Sequence, residues 1–171
     1  MTVTVKKMLE AVRSGLYYRK IQYIYDDKDK TFVFDMALQN TKLYYVRIIV
    51  KIEPRTTNSE ECSRVSSQAV IGIRTDYDCM DEMAEFLHRE NSLITFGNFA
   101  LDYYDEGAIR FKMSVNCRDG LPGPTTIADL WNMPRYVTEC CGDVLIYLSM
   151  GLFSAKEAVA KVGKIGMCPY I

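Results

Sequence analysis

Residues 79 to 115 constrain the fold of this chain more than any other stretch. They read CMDEMAEFLHRENSLITFGNFALDYYDEGAIRFKMSV. The spacing predicts an amphipathic helix over about 78 to 91, with Met80, Met83, Ala84 and Leu87 on one face and Glu82, Glu85 and Arg89 outside it. Asp76 or Asp78 is placed to cap its start. A short aromatic elbow follows, then a hairpin over 99 to 115 turning at Asp105-Glu106-Gly107. Phe99, Leu101 and Tyr103 are expected to face inward from its first strand, and Ile109, Phe111, Met113 and Val115 from its second. Strands with one apolar side need helices to cover that side, so the unit implies a layered α+β domain. It contains no nucleophile pattern, phosphate cradle or metal-spaced cluster.

The rest of the chain fits this architecture. Val5, Met8, Leu9 and Val12 recur at helical spacing, so a first helix is expected from Thr4, its N-cap, to Ser14, with Gly15 taking the left-handed C-terminal position. Strand patterns follow at 18 to 25, at 31 to 38 (Phe32, Phe34, Met36 and Leu38 inward) and at 43 to 53. In the last, Val46, Ile48, Val50 and Ile52 face in, while Arg47, Lys51 and Glu53 face out. The polar run from Pro54 to Ser67 reads as a loop and 68 to 74 as a fourth strand. After a second loop, Arg118 to Pro124, Thr126 and Asp129 form a capping-box variant opening a long helical region. Pro134 predicts a kink or break near Asn132 and Met133, with Pro134 itself in the first turn of the next segment. Val137, Cys141, Val144 and Leu148 stripe that segment and Gly151 ends it. Ser154 and Glu157 form a capping box for a last helix ending near Gly163, and the tail IGMCPYI reads as loosely held. The order is α-β-β-β-β-α-β-β-α-α, in one domain over 1–171, with a mainly antiparallel sheet and helices packed on one face.

Composition narrows the function. A formal net charge of -1 supplies no electrostatic funnel toward nucleic acid or an acidic membrane surface. No apolar run reaches the roughly 18 residues of a spanning helix. The N-terminus lacks a signal-peptide h-region, so the six cysteines are expected to be free thiols in a reducing cytoplasm.

The stretch Glu85-Phe86-Leu87 with Asn91, then Phe96-Gly97-Asn98-Phe99-Ala100-Leu101-Asp102, then Glu106-Gly107-Ala108-Ile109-Arg110-Phe111 resembles the centre of the YbjN family of small bacterial proteins, described as sensory-transduction regulators. The later Gly151-Leu152-Phe153-Ser154-Ala155-Lys156-Glu157-Ala158 resembles that family's closing helix start. The resemblance covers about 40 to 160. It implies a fold similar to the dimeric type III secretion chaperones, whose helix-flanked sheet offers a surface to a partner peptide, and it implies no enzyme activity. Chemically the matched residues read as structural: Gly97 as a tight turn, Asn91 as a partner for the end of its own helix, Asp102 and Arg110 as a cross-strand pair.

Candidate chemistry is thin. Cys140 and Cys141 lie inside a helix beside Glu139 and Asp143, which oppose thiolate formation, so they read as packing thiols. Cys79 and His88 are about 13.5 Å apart along one helix, beyond reach of each other. Asp26-Asp27-Lys28-Asp29 lacks the glycine and twelfth-position glutamate of a calcium loop and reads as a hairpin turn. Twelve tyrosines favour protein contact, and stacking on single strands would need accompanying positive charge. The expectation is a non-catalytic interaction module, chaperone-like or regulatory, without cofactor or metal. It is expected to form a homodimer, with a further protein partner and neither nucleic acid nor membrane. Tyr44, Arg47 and Tyr103 are its candidate contact residues. The alternatives are a thiol-dependent redox sensor or enzyme and a small-ligand-binding domain.

Overall fold

A computed structural model describes residues 3–57 and 59–162. The element order is α1 (Val5–Tyr18), β1 (Ile24–Asp26), β2 (Thr31–Ala37), β3 (Tyr45–Pro54), β4 (Cys62–Arg74), a 3-10 turn (Tyr77–Cys79), α2 (Met80–Asn91), β5 (Asn98–Asp102), β6 (Ala108–Asn116), α3 (Pro124–Ser149) and α4 (Ala155–Val162). The six strands form one antiparallel sheet in the order β1-β2-β3-β4-β6-β5. This is the expected α+β architecture. Val46, Ile48, Val50 and Ile52 of β3 are fully buried beneath the helices, with Phe32, Ala69, Ile109 and Phe111 beside them. The opposite face carries Arg47, Lys51, Gln68 and Lys112, and no element packs over it among the described residues.

Several boundaries differ from expectation, each for a tertiary reason. The first helix runs past Gly15 to Tyr18, and the left-handed residue behind it is Lys20. Gly15 serves packing: a Cβ there would stand 2.9 Å from Trp131 Cη2, so glycine lets α1 approach the buried indole of α3. Residues 18 to 23 are consequently not strand. The loop expected over 54 to 67 is shorter, because β4 begins at Cys62 and its serines pair in the sheet. Ser66 donates to Glu53 Oε1 at 2.7 Å. Neither Asp76 nor Asp78 makes a side-chain cap.

The largest correction concerns Pro134. α3 is one 26-residue helix with Pro134 inside it, opened by Pro124 behind an N-cap at Gly123 and not by a Thr126–Asp129 box. Proline lacks the N–H that would bond the carbonyl four residues earlier, which is that of Leu130. The buried Ser67 hydroxyl of β4 donates to that carbonyl. The sheet thus supplies the missing donor, and the helix continues.

Other signals hold. Gly151 (φ 69°) ends α3, and Ser154 and Glu157 bond each other reciprocally at the start of α4. Gly97 (φ 89°) has left-handed backbone, and a Cβ there would meet Lys112 O at 2.7 Å. α4 is described as far as Val162, so the expected end of the last helix near Gly163 and the tail lie outside the described residues. No described helix is long and apolar enough to cross a membrane.

Candidate functional site

The sheet's two edges differ along its β5–β6 side. β5 pairs with β6 from Asp102↔Ala108 to Asn98↔Lys112 and stops there. β6 continues through Met113, Ser114, Val115 and Asn116, paired among the described residues only with β4 on its other side. Cys117 N donates to Ser63 O, which fixes the alternation: Val115 and Met113 bond toward β4. Ser114 and Asn116 therefore direct their backbone N–H and C=O groups away from β4, where β5 has ended. Gly97 turns the chain away at this point, pressed against Lys112 O.

A groove of about 900 Å³ runs along this open end of β6. Its apolar wall includes Met133 and Val137 of α3 and Leu93, Ile94 and Phe96 from the segment after α2, with polar residues of the sheet's outer face opposite. Asp129 also lines it; burial raises its carboxyl above the ordinary range, and no ion-pair partner for it is found among the described residues. A second depression, of about 820 Å³, lies between α1 and the first half of α3, lined by residues such as Tyr18, Leu121 and Ile127. It presents no open strand edge.

Elsewhere the edge is closed. Asn91, the last residue of α2, accepts from Phe99 N at 2.6 Å through Oδ1 and donates to Phe99 O at 3.0 Å through Nδ2. It does not bond the end of its own helix, as expected from sequence. Its amide instead pairs with the outer edge of β5 as a strand residue would.

One residue before it, Glu90 is fully buried, and neither carboxylate oxygen has a hydrogen-bond partner among the described residues. Burial raises its pKa from the ordinary 4.5 to about 7. Across the seam stands Cys141 of α3, whose thiol is held well above its ordinary range by burial, with the Glu90 charge adding to it. Sequence reading missed Glu90 because a glutamate beside Arg89 suggests solvent. Its helical spacing from Met83, Phe86 and Leu87 was the available signal.

The buried thiols Cys62 and Cys117 show no activation. Burial pushes Cys62 up to about 12 and raises Cys117. Cys79 lies against Gly151, where a Cβ would stand 3.1 Å from its sulfur, and His88 is exposed. Glu139 and Asp143 accept from the backbone of Gln39 and Lys42, so they clamp the β2–β3 loop onto α3. Asp26 Oδ1 accepts from Lys28 N at 2.8 Å within the β1–β2 turn. Among the described residues no group of three or more His, Cys, Asp or Glu side chains could hold a metal ion.

Tyr44 and Arg47 fall near the start of β3, and Tyr103 falls in the β5–β6 turn, three strand spacings or roughly 14 Å across the sheet. Tyr44 is 86% exposed and Tyr103 53%, so Tyr103 does not face the core as expected. The Arg47 guanidinium is held by both oxygens of Asp35, at 2.9 and 3.1 Å. The three are not brought together. Arg110 bonds Asp105 at 2.7 Å, with Asp102 at 3.8 Å, so its main partner is the turn aspartate.

No family model and no curated protein matches the chain. The structure is similar to the crystal structure of YbjN from E. coli, described as a candidate transcription regulator, at a TM-score of 0.48 and 12% identity, over 84% of this chain and 87% of that one.

Proposed function

We propose that this chain is a non-catalytic, cytoplasmic protein-interaction module, chaperone-like or regulatory, that holds an extended segment of a protein partner as an added strand along the open end of β6. The observation that supports it is the conjunction, at Ser114 and Asn116, of backbone groups unpaired among the described residues with an apolar wall on the helix side. Free edge groups select an extended main chain, and a one-sided apolar wall selects alternating apolar side chains. Raised thiol pKa values at Cys62, Cys117 and Cys141 weigh against the redox alternative.

The test is a titration with hexapeptides alternating Thr with Ile, Val or Met, followed by backbone amide shifts. Binding should move Ser114 and Asn116 and should be lost on N-methylating the peptide backbone. Binding indifferent to N-methylation would refute strand addition.

The expected homodimer is proposed for the sheet's bare face, where Ile24, Val33 and Ile49 form one cross-strand row with Ile24 75% exposed. Light scattering should give twice the chain mass, and a monomer at every concentration would exclude it.

A further inference from the structure

We infer that Cys62 and Cys117 are a site of peroxide oxidation, at which the two thiols join in a disulfide that ties the start of β4 to the end of β6. Reduced, both are buried packing thiols. The bond needs no partner in the groove, so it stands apart from the reading above.

A β-bulge brings the pair together. Along β4 the side chains of Val65, Ser67, Ala69 and Ile71 are buried at alternate positions. Strict alternation would place Cys62 on the opposite, bare face. β3 pairs Glu53 with Arg64 but Pro54 with Cys62, so Ser63 is an extra residue in β4. A bulge of this kind re-aims the side chain beside it, and Cys62 lies buried in the core. Cys117 continues the inward alternation of Phe111, Met113 and Val115 and is fully buried. Its N–H donates to Ser63 O at 3.0 Å, which sets it next to Cys62 on the neighbouring strand. The Cys62 thiol hydrogen-bonds the Cys117 sulfur across the two strands. Neighbouring strands stand about 4.8 Å apart, within the roughly 4.4–6.8 Å between Cα atoms that a disulfide spans.

Cys117 is the attacking sulfur. Burial raises its thiol, but hydrogen bonds from the Cys62 thiol and the Val65 backbone favour its thiolate. Burial holds Cys62 at about 12, and a charge on Cys117 adds to that. The Cys117 thiolate attacks one oxygen of hydrogen peroxide and the O–O bond breaks. The departing hydroxide takes up the thiol proton as water and leaves Cys117 as the sulfenic acid, oxidised by two electrons. The Cys62 sulfur then attacks the Cys117 sulfur, the S–O bond breaks, and the hydroxyl leaves with the Cys62 proton as a second water. Two thiols and one peroxide thus give one disulfide and two waters. Neither thiol is activated, so the reaction is slow, which separates this site from a sensor thiol. A small neutral oxidant suits a buried pair. The pair sits at the end of the sheet, where Cys62 N donates to Val3 O at 2.8 Å and Val5 N to Glu60 O at 2.7 Å. Local opening of these two bonds gives the oxidant its way in.

The test oxidises the natural full-length chain with hydrogen peroxide, once folded and once in urea. Remaining thiols are then alkylated and the unreduced digest is mapped by mass spectrometry. The folded sample should carry the Cys62–Cys117 cross-link as its main disulfide, and the unfolded sample a mixture of pairings. The oxidised chain should unfold at a higher urea concentration, because the bond closes a long loop in the unfolded chain, and dithiothreitol should return the midpoint. Cys62→Ala and Cys117→Ala should each abolish that reversible shift. Both thiols recovered alkylated, or carried on to sulfinic acid without a cross-link, would overturn the inference. So would a folded sample whose main disulfide joins any other cysteines, or a Cys62–Cys117 cross-link whose yield falls on dilution, which would place the bond between two copies.

Discussion

On the flank of α3 that meets β4 and α1, the carbonyl left without a donor by Pro134 receives the Ser67 hydroxyl, and Trp131 lies against the bare backbone of Gly15. On the flank that meets α2, the Glu90 carboxyl is sealed in with no partner and faces a buried thiol. Both flanks bury polar atoms, and the first is not perfect, since Trp131 Nε1 also lacks a partner. The difference is one of charge. A neutral donor left alone costs about 1–3 kcal/mol, whereas a carboxyl must stay protonated or bear the larger cost of a buried charge. The first flank is built for rigidity. The second carries an uncompensated group between α2 and α3, the two helices against which α4 also packs.

The largest expected effect tests that contrast at Glu90. Its pKa is raised, so the folded state binds the extra proton between the unfolded value of 4.5 and the folded value of about 7. Stability should therefore be greatest below pH 4.5 from this group, fall as pH rises to about 7, and stay level above. The fall should approach about 3 kcal/mol for a shift of this size. Glu90→Gln should remove that slope and leave the variant more stable than the natural chain at pH 8. Urea unfolding from pH 4 to 8 measures both, and identical slopes in the two proteins would erase the contrast between the flanks.

The matched flank is broken next. Ser67→Ala should cost about 1–3 kcal/mol by orphaning the Leu130 carbonyl in the core. Pro134→Ala returns an N–H to the helix, so the serine substitution should cost much less in that background. A double-mutant cycle by denaturant unfolding reads the coupling. Additive effects would mean that Ser67 does not compensate for Pro134.

These two sites also show what could be read from the sequence. Alternation in β3 and β6, the Gly97 turn, the Gly151 stop and the Ser154–Glu157 box are local signals, and they appear where local chemistry places them. Gly15, Pro134 and the serines of β4 misled for one reason: each is explained by a residue far away in sequence. Gly15 answers to Trp131, Pro134 to Ser67, and Ser66 and Ser67 to strands on both sides. The site was less legible than the fold. An open strand end is a length mismatch between β5 and β6 and has no motif, and Glu90 has the residue type of a solvent-facing position. Tyr44, Arg47 and Tyr103 were chosen for an exposed sheet face; Tyr44 and Tyr103 are exposed, and Arg47 is tied to Asp35.

A smaller effect separates the closed edge from the open one. Asn91→Ala should destabilise by about 1–2 kcal/mol, because the Phe99 N–H loses its acceptor on a partly buried strand and the Phe99 C=O keeps only the Asn98 amide as donor. Hydrogen exchange at Phe99 should quicken in the variant and approach the rate of any strand-edge amide left open. An unchanged Phe99 amide would show that α2 closes this edge by packing alone.

The smallest effect lies at α4, the cover of the unmatched seam. Ser154 accepts from Glu157 N at 3.4 Å, while Glu157 accepts from Ser154 N at 2.9 Å and from its hydroxyl at 2.8 Å. These bonds hold the Glu157 carboxyl below its ordinary range. Ser154→Ala should cost about 0.5–1 kcal/mol, since an exposed cap on a two-turn helix contributes at the low end for such residues. The loss should be local: the Ala158 amide, bonded to Ser154 O, should exchange faster while β3 is unmoved. If α4 covers the seam as its packing against α2 and α3 indicates, loosening it should also admit water toward Glu90. The pH slope assigned to Glu90 should then shrink in Ser154→Ala, because a carboxyl reached by water titrates closer to 4.5. A slope untouched by a frayed α4 would mean that α2 and α3 alone keep the carboxyl dry.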